Sequence, residues 1–438
     1  MVQLGRNVLT QLTANGLGGL VSFITISVSA RVFGPAIFGQ IAYLIGFLGV
    51  IMALSDFGLS RAHVHFTAFL NRPRQTLGTF LIIKLIILSI CTVVALIAGN
   101  LKGQLSWIFI ILLANEIFSR IADATLITFE GLQQAWSPNL SKLTAKVVKL
   151  LGLGIIVLVF KNAFGYSLSI LVEAIVLFGF CLYWLWRFKP VRFSPPLAKK
   201  YFYYSLPFAL IMPLSYFQDS SLPLILRHSH SVEAVGFFAA AFGLFGFIKT
   251  LSGSLMTYFF PKISQLYRLG QLDEIQRYTD LAVKFSVIFF APFLLLLYFI
   301  RYPLISLVLG QQFLPSVPVF AWLLLGQLIL IIFAPYDHVL FATRNHQPII
   351  WVSFFGLILL VSLNYLLAPQ YGAVGSAVSL VLTWFISSLG NFIILFRRTG
   401  MHFCSDFSFG RKEVKYLHAL IYSFSQAGFR SNRKKTGH

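Results

Sequence analysis

Gln75-Thr-Leu-Gly78-Thr-Phe-Leu-Ile-Ile-Lys84-Leu-Ile-Ile-Leu-Ser-Ile-Cys91-Thr-Val-Val-Ala-Leu-Ile-Ala98-Gly-Asn-Leu101 runs between Arg74 and Lys102 with a single charge inside it. A helix of about 20 such residues is ~30 Å long, the thickness of the hydrocarbon core of a bilayer, and it has no stable place in water. The pattern repeats on both sides of this stretch. Twelve spans can be read, at 8–30, 37–59, 78–98, 105–128, 143–160, 166–186, 203–226, 235–260, 285–300, 317–340, 348–368 and 373–396. The gaps between them alternate in charge. Outside the spans, twenty-four Lys and Arg fall on the side of the N-terminus and five (Arg31, Lys102, Lys161, Arg227 and Arg301) on the opposite side. Cationic loops stay in the cytoplasm during insertion, so both termini are expected there, in a multi-pass membrane protein.

Composition agrees with that reading. With 58% hydrophobic residues, 11% charged residues, 46 Phe and a mean hydropathy of +0.82, the chain has too little polar surface for a soluble globular protein. The net charge of +21 would suggest nucleic acid in a soluble protein. Here it lies beside membrane spans, where anionic headgroups account for it, and no nucleic-acid partner is expected. Three cysteines at positions 91, 181 and 404 have neither disulfide-framework nor metal-ligand spacing, and no metal or cofactor is expected. Residues 1–30 imitate a signal peptide. An even number of spans fits the charge bias better, so the first span is expected to stay as an uncleaved anchor.

The Pro- and Lys-containing connection 187–202 divides the chain into an N-terminal six-span half (1–186) and a C-terminal one (203–398), followed by a basic tail (399–438). The halves look alike. Arg31 is followed eight residues later by Gly39 at the opening of span two, and Arg227 nine residues later by Gly236 at the opening of span eight. Thr128-Phe-Glu-Gly131 closes span four much as Leu340-Phe-Ala-Thr-Arg344 closes span ten. Six spans per repeat give both halves one orientation. The expected fold is therefore an all-α polytopic membrane protein, twelve transmembrane helices in two six-helix bundles related by a pseudo-two-fold axis along the membrane normal. The connection 261–284 reads as a short amphipathic helix. In the tail, Val414, Leu417, Leu420, Ile421 and Phe424 recur at helical spacing among cations, as in an interfacial anchor.

Order and spacing of local motifs carry a family resemblance. Arg31-x-x-Gly34-Pro35-x-x-Phe38-Gly39, Ser55-Asp56-Phe57-Gly58-Leu59, Pro261, Leu309-Gly-Gln-Gln-Phe313, Leu340-Phe-Ala-Thr-Arg344 and Asn364 through Pro369-Gln-Tyr-Gly372-Ala-Val-Gly375-Ser-Ala377 follow one another over residues 1–398. In this the chain resembles the polysaccharide-biosynthesis flippases, translocases of lipid-linked O-antigen repeat units. The resemblance implies two six-helix bundles with alternating access. It also implies an undecaprenyl-diphosphate-linked oligosaccharide as substrate, with membrane lipids and other polysaccharide assembly proteins as partners. The basic tail and the stop at twelve spans, where related transporters often have fourteen, depart from the common pattern.

Charges inside spans nominate the site, because an unpaired charge in a bilayer costs several kcal/mol and must face a wet cavity or a partner. Lys142, Lys146 and Lys149 share one face of span five at i, i+4, i+7. They are open to two readings, a cationic stripe for a lipid diphosphate or a ladder reaching back to headgroup phosphates. Glu116, Arg120 and Asp123 repeat that spacing on span four, where Glu116 and Arg120 can pair with each other or Arg120 can meet phosphate through its planar fork. Asp56 and Lys84, near span ends, can snorkel. Gln218-Asp219-Ser220-Ser221 suggests an irregular or cavity-lining helix, and Asp337 stands beside His338. The candidate substrate ligands are Arg31, Arg120, Lys146, Lys149 and Lys249. Asp123, Asp219 and Asp337 are the candidates for coupling to H+ or Na+.

Two other functions compete. A membrane polymerase or ligase would need a sizeable external loop carrying acid or base groups, and the external gaps here are short. An ion-coupled multidrug exporter of the same fold binds organic cations through acids, against which the lysine stripe argues.

Overall fold

The computed structural model describes residues 2–70, 72–132, 134, 136–189, 193–209, 211–342 and 347–404. The chain is all-helical among these residues: α1 (Val2–Ala53), α2 (Leu59–Leu70), α3 (Pro73–Leu101), α4 (Trp107–Leu126), α5 (Thr128–Gly131), α6 (Trp136–Val159), α7 (Ala163–Phe188), α8 (Pro195–Ser205), α9 (Ile211–Ser229), α10 (Val232–Arg268), α11 (Leu272–Phe299), α12 (Arg301–Val308), α13 (Ser316–Ala342) and α14 (Gln347–Thr399). Seven helical segments are long and apolar enough to cross a membrane, lying in α1, α3, α7, α10, α11, α13 and α14. Helices α4 and α6 are of spanning length but carry three charges each. The chain is a multi-pass membrane protein.

Two helices are too long to be single spans. At ~1.5 Å per residue, 52 uninterrupted residues would extend roughly 78 Å, more than twice the ~30 Å hydrocarbon core. Gly34 breaks α1 with φ 73° and ψ 171°, and Pro35 begins the following helical stretch. A side chain at that φ would be strained, and proline suits the first turn of a helix because it needs no amide donor there. Gly372, at φ 57° and ψ −133°, breaks α14 in the same way three residues after Pro369. Both glycines belong to the motifs that carry the family resemblance, and their role is to turn the chain between successive helices.

The core forms where α1 meets α9 and α10. The Gly34 break of α1 and the short α9–α10 connection lie together. Gly236 packs on the backbone of Pro35, Gly243 on Ile26 and Gly19 on Phe247, so the first part of α1 runs along α10. Gly39 packs on the Val232 carbonyl, while Gly46 and Gly49 pack on Ser220, so the second part runs along α9. The two repeat-equivalent glycines, Gly39 and Gly236, thus lie at one close approach of the two backbones: a Cβ on Gly39 would meet the Val232 carbonyl and the Gly236 amide, and one on Gly236 would meet the Pro35 main chain. Helix α9 is continuous through 218–221, which leaves the cavity-lining alternative of the two expected there. Of its four polar residues, Ser220 faces Gly46 and Gly49 of α1 and Gln218 faces Gly356 of α14.

Further expectations need correcting. No separate amphipathic helix occupies 261–284: α10 continues to Arg268, and after Gly270 turns the chain at φ 70°, α11 starts at Leu272. Residues 401–404, assigned to the tail, pack into the C-terminal half. The Cys404 amide donates to Tyr336 Oη at 2.8 Å, and Gln276 exchanges hydrogen bonds with the His402 backbone. The remaining tail, including the helix expected around 414–424, lies outside the described residues, as do Thr343 and Arg344.

The connection between the halves is anchored rather than loose. Leu197 and Tyr201 of α8 are buried against Leu59, Ala62, Leu77 and Phe80. Tyr201 Oη meets His63 Nδ1 at 2.8 Å, and His63 Nε2 meets Thr128 Oγ1 at 2.9 Å, so one imidazole ties α2, α5 and α8 together. Burial drops the His63 pKa to about 3, and the ring stays neutral as a dual-purpose linker.

Candidate functional site

The charged faces of α4 and α6 come together with α7 and the start of α1. A cavity of about 370 Å³ lies there, lined by Asn15, Asn115, Ser119, Asp123, Asn139, Lys142, Lys146 and Glu173, with Thr250 of α10 at its edge. Asn115, Ser119 and Asp123 follow one another at i, i+4, i+8, so the face of α4 that lines the cavity was legible in the sequence as polar spacing. Asn15 and Asn139 carried no such signal.

The three lysines of the stripe have different fates. Lys149 pairs with Glu173 of α7 at 2.8 Å, both side chains about a quarter exposed. Lys142 pairs with Asp123 of α4 at 3.4 Å, more exposed on both sides. Lys146 lies between them with no carboxylate in ion-pair range among the described residues, and its Nζ reaches only the Gly18 carbonyl of α1, at 3.4 Å. The stripe therefore leaves one cation over. Asp123, a coupling candidate, is here the counter-ion of Lys142.

Arg120 lies beside Glu116, donating from Nε and Nη2 to one carboxylate oxygen at 3.3 Å each, and its guanidinium is 5.1 Å from the Tyr216 ring centroid of α9. It thus touches both halves of the chain. Lys249 of α10 is exposed over the Trp384 ring at 5.6 Å, and its charge acts on Asp219 of α9. Asp219 is exposed to solvent. Asp337 of α13 is half-buried and accepts from Asn391 Nδ2 of α14 at 3.0 Å, while Asn391 Oδ1 is buried without a partner among the described residues.

Asp56, Lys84 and Arg31 stand outside the lining of the polar cavity. Asp56 and Lys84 do not snorkel: they form a buried ion pair at 2.6 Å, with Ser60 also donating to Asp56. Burial that leaves no route to water forces the pairing, and removal of one partner from such a pair typically costs about 3–5 kcal/mol. Arg31 is not in the polar cavity. Its guanidinium caps the carbonyls of Leu307 and Val308 at the end of α12, while Gln312 Nε2 donates back to the Ala30 carbonyl at 3.2 Å. A cation against the negative end of a helix is a favourable pairing. Residues 31–35 and 309–313, distant motifs in the sequence, are therefore one joint. Beside it Phe33 and Phe38 stack on Tyr166 at 4.9 and 5.5 Å, and Phe38 meets Phe313 edge-on at 6.1 Å. The halves are sealed together at the Arg31 end.

Comparison with known proteins agrees with this architecture. The lipid II flippase MurJ, in an inward closed conformation, superimposes with a TM-score of 0.64 at 14% identity, covering 96% of this chain and 98% of MurJ. A point mutant of the MATE transporter VcmN of Vibrio cholerae gives 0.56 at 15% identity, over 91% of this chain and 98% of that one. In sequence, the capsular polysaccharide biosynthesis protein CapF of Staphylococcus aureus is 19% identical over 382 residues, spanning 85% of this chain and 94% of CapF. The solved structures establish the fold, that of membrane transporters. Residues 4–267 match the family described as polysaccharide biosynthesis protein, and the chain belongs to that family.

Proposed function

We propose that the protein is a flippase that moves an undecaprenyl-diphosphate-linked oligosaccharide, the repeat unit of an O-antigen-type surface polysaccharide, from the cytoplasmic to the outer leaflet of a bacterial inner membrane. The observation that carries this reading is Lys146, a cation with no carboxylate in ion-pair range among the described residues, in a cavity whose other polar lining is asparagine, serine, threonine and residues held in ion pairs. A diphosphate supplies the missing negative charge, and amide and hydroxyl groups suit sugar hydroxyls as both donors and acceptors.

In this mechanism the chain works as twelve spans in two six-helix bundles, 1–186 and 203–398, with the connection 187–202 and both termini in the cytoplasm. The diphosphate enters on Lys146 from the side of Asn15 and Asn139, and the lipid chain stays in the bilayer. Arg120 and Lys249 receive the anion as the bundles rock, because Arg120 already touches Tyr216 of the other half. The joint of Arg31 with α12 is the outer closure, which opens to release the product. Asp219 and Asp337 are the sites for a coupling H+ or Na+: Asp337 has one amide donor and no cation in ion-pair range among the described residues, leaving room for an ion in its shell. A cationic cavity disfavours the organic cations of a multidrug exporter.

Lipid analysis of a deletion strain tests the proposal. The expected result is a glycosylated undecaprenyl diphosphate held in the cytoplasmic leaflet and inaccessible to an external glycosidase, cleared by the wild-type gene and not by Lys146→Ala. A deletion strain with normal transfer of the glycolipid to the outer leaflet overturns it.

A further inference from the structure

Outside the polar site, a trough of about 940 Å³ lies between α11 and α13, lined by Pro292, Leu295, Ala321, Trp322, Leu325 and Leu328. It shares no lining residue with the cavity of α1, α4, α6 and α7. Its walls are aliphatic and aromatic, and one charge stands at its end. Arg301, the first residue of α12, lines the trough with its guanidinium 4.0 Å from the Tyr298 ring centroid and 5.3 Å from that of Tyr302, donating one hydrogen bond to the Tyr298 carbonyl. No carboxylate lies within ion-pair range of it among the described residues.

We infer that this trough is a binding site for one phospholipid of the outer leaflet, with acyl chains along α11 and α13 and the phosphodiester on Arg301. The inference rests on the orientation proposed above for its leaflet, and on nothing else in that proposal. An apolar groove ending in a single cation is complementary to an amphiphile with a single anionic group. Tyr298 and Tyr302 mark the depth at which aromatic rings settle, at the headgroup boundary. The stacked rings fix the guanidinium plane, leaving its remaining N–H groups to meet a phosphate oxygen pair as a fork. One guanidinium matches one phosphodiester, whereas a lipid diphosphate carries more charge than this end of the trough supplies. The bound lipid would act as a wedge filling the space between α11 and α13, keeping the C-terminal half packed where its own side chains leave a gap.

The test uses the full-length protein in detergent, titrated with phosphatidylglycerol and followed by native mass spectrometry. Wild type is expected to retain one lipid per chain. Arg301→Gln should bind it about tenfold more weakly, the scale of one lost charge-assisted pair, with Arg301→Lys in between. Ala321→Trp should block the trough while leaving Arg301 in place; if that variant is not monodisperse, Leu325→Trp serves instead. Equal binding by wild type, Arg301→Gln and a trough-blocking variant overturns the inference. So does displacement of phosphatidylglycerol by undecaprenyl diphosphate at a lower concentration, which would make the trough part of the substrate path. Translocation is not the readout, so a failed lipid site and a failed transport proposal give different results.

Discussion

Among single residues, the difference between one lysine and its two neighbours matters most. Lys142 and Lys149 are each held by a carboxylate, and only Lys146 has charge to spare for a ligand. Lys146→Ala is expected to lower glycolipid translocation by about tenfold or more, the equivalent of losing one charge-assisted hydrogen bond of ~1.5–3 kcal/mol. Lys149→Ala should act differently, through abundance, because it strands Glu173 in a half-buried site, and the Lys149→Ala/Glu173→Ala pair should recover protein level. Translocation per molecule, normalised to protein in the membrane, separates the two. A uniform loss across Lys142, Lys146 and Lys149 would dismiss the special role of Lys146. The sequence showed that these lysines share a face, because helical spacing is a property of one element. It could not show which of them is paired, since Asp123 and Glu173 come from two other helices whose rotation depends on packing. Asp56 and Lys84 were misjudged for the same reason: 28 positions apart, they meet only because the chain reverses between α1 and α3.

For the helices, contact is closest where side chains are absent. Gly39 and Gly236 let the backbone of α1 approach that of α10 so closely that a Cβ at either position would overlap a main-chain carbonyl, Val232 or Pro35. Main chain cannot rotate aside as a side chain can, so even valine should part the helices. Gly236→Val is expected to open the Arg31 end. A cysteine replacing the buried Phe38 should then react with a membrane-impermeant thiol reagent at least about tenfold faster than in the Gly236 background, on the scale of a seal contributing ~1.4 kcal/mol. Unchanged reactivity would show that the aromatic cluster of Phe33, Phe38 and Tyr166 seals this end unaided. The two glycines were visible in the sequence as repeat-equivalent positions eight or nine residues after a cation. Their mutual contact was not, because it depends on how the halves meet. The Arg31 joint was hidden likewise: the C-terminal carbonyls of α12 that Arg31 meets lie some 276 positions away in the chain.

Across the whole molecule, the proposed orientation rests on counting cations, and position along the chain was the most legible property of all. Apolar runs of the required length place helices without knowledge of their neighbours, and the breaks at Gly34 and Gly372 coincide with Gly-Pro and Pro-x-x-Gly signals. Cysteine replacing Ser194 should resist an impermeant reagent applied to intact cells, while one replacing Ser229 should react, and the reverse pattern would invert the orientation proposed here. A different consequence follows from the three charges each in α4 and α6. A helix leaving the ribosome is tested for entry into lipid one segment at a time, and a lysine near its centre adds about 2.5–3.5 kcal/mol to the cost of entry. Alone, α6 brings three lysines, and the acids that offset two of them are on α4, already made, and on α7, not yet made. The polar cavity is thus also a dependency in biosynthesis: α6 is expected to settle across the bilayer as α7 arrives with Glu173, and the proposed ligand site is assembled by the same pairing that lets its most cationic wall enter the membrane.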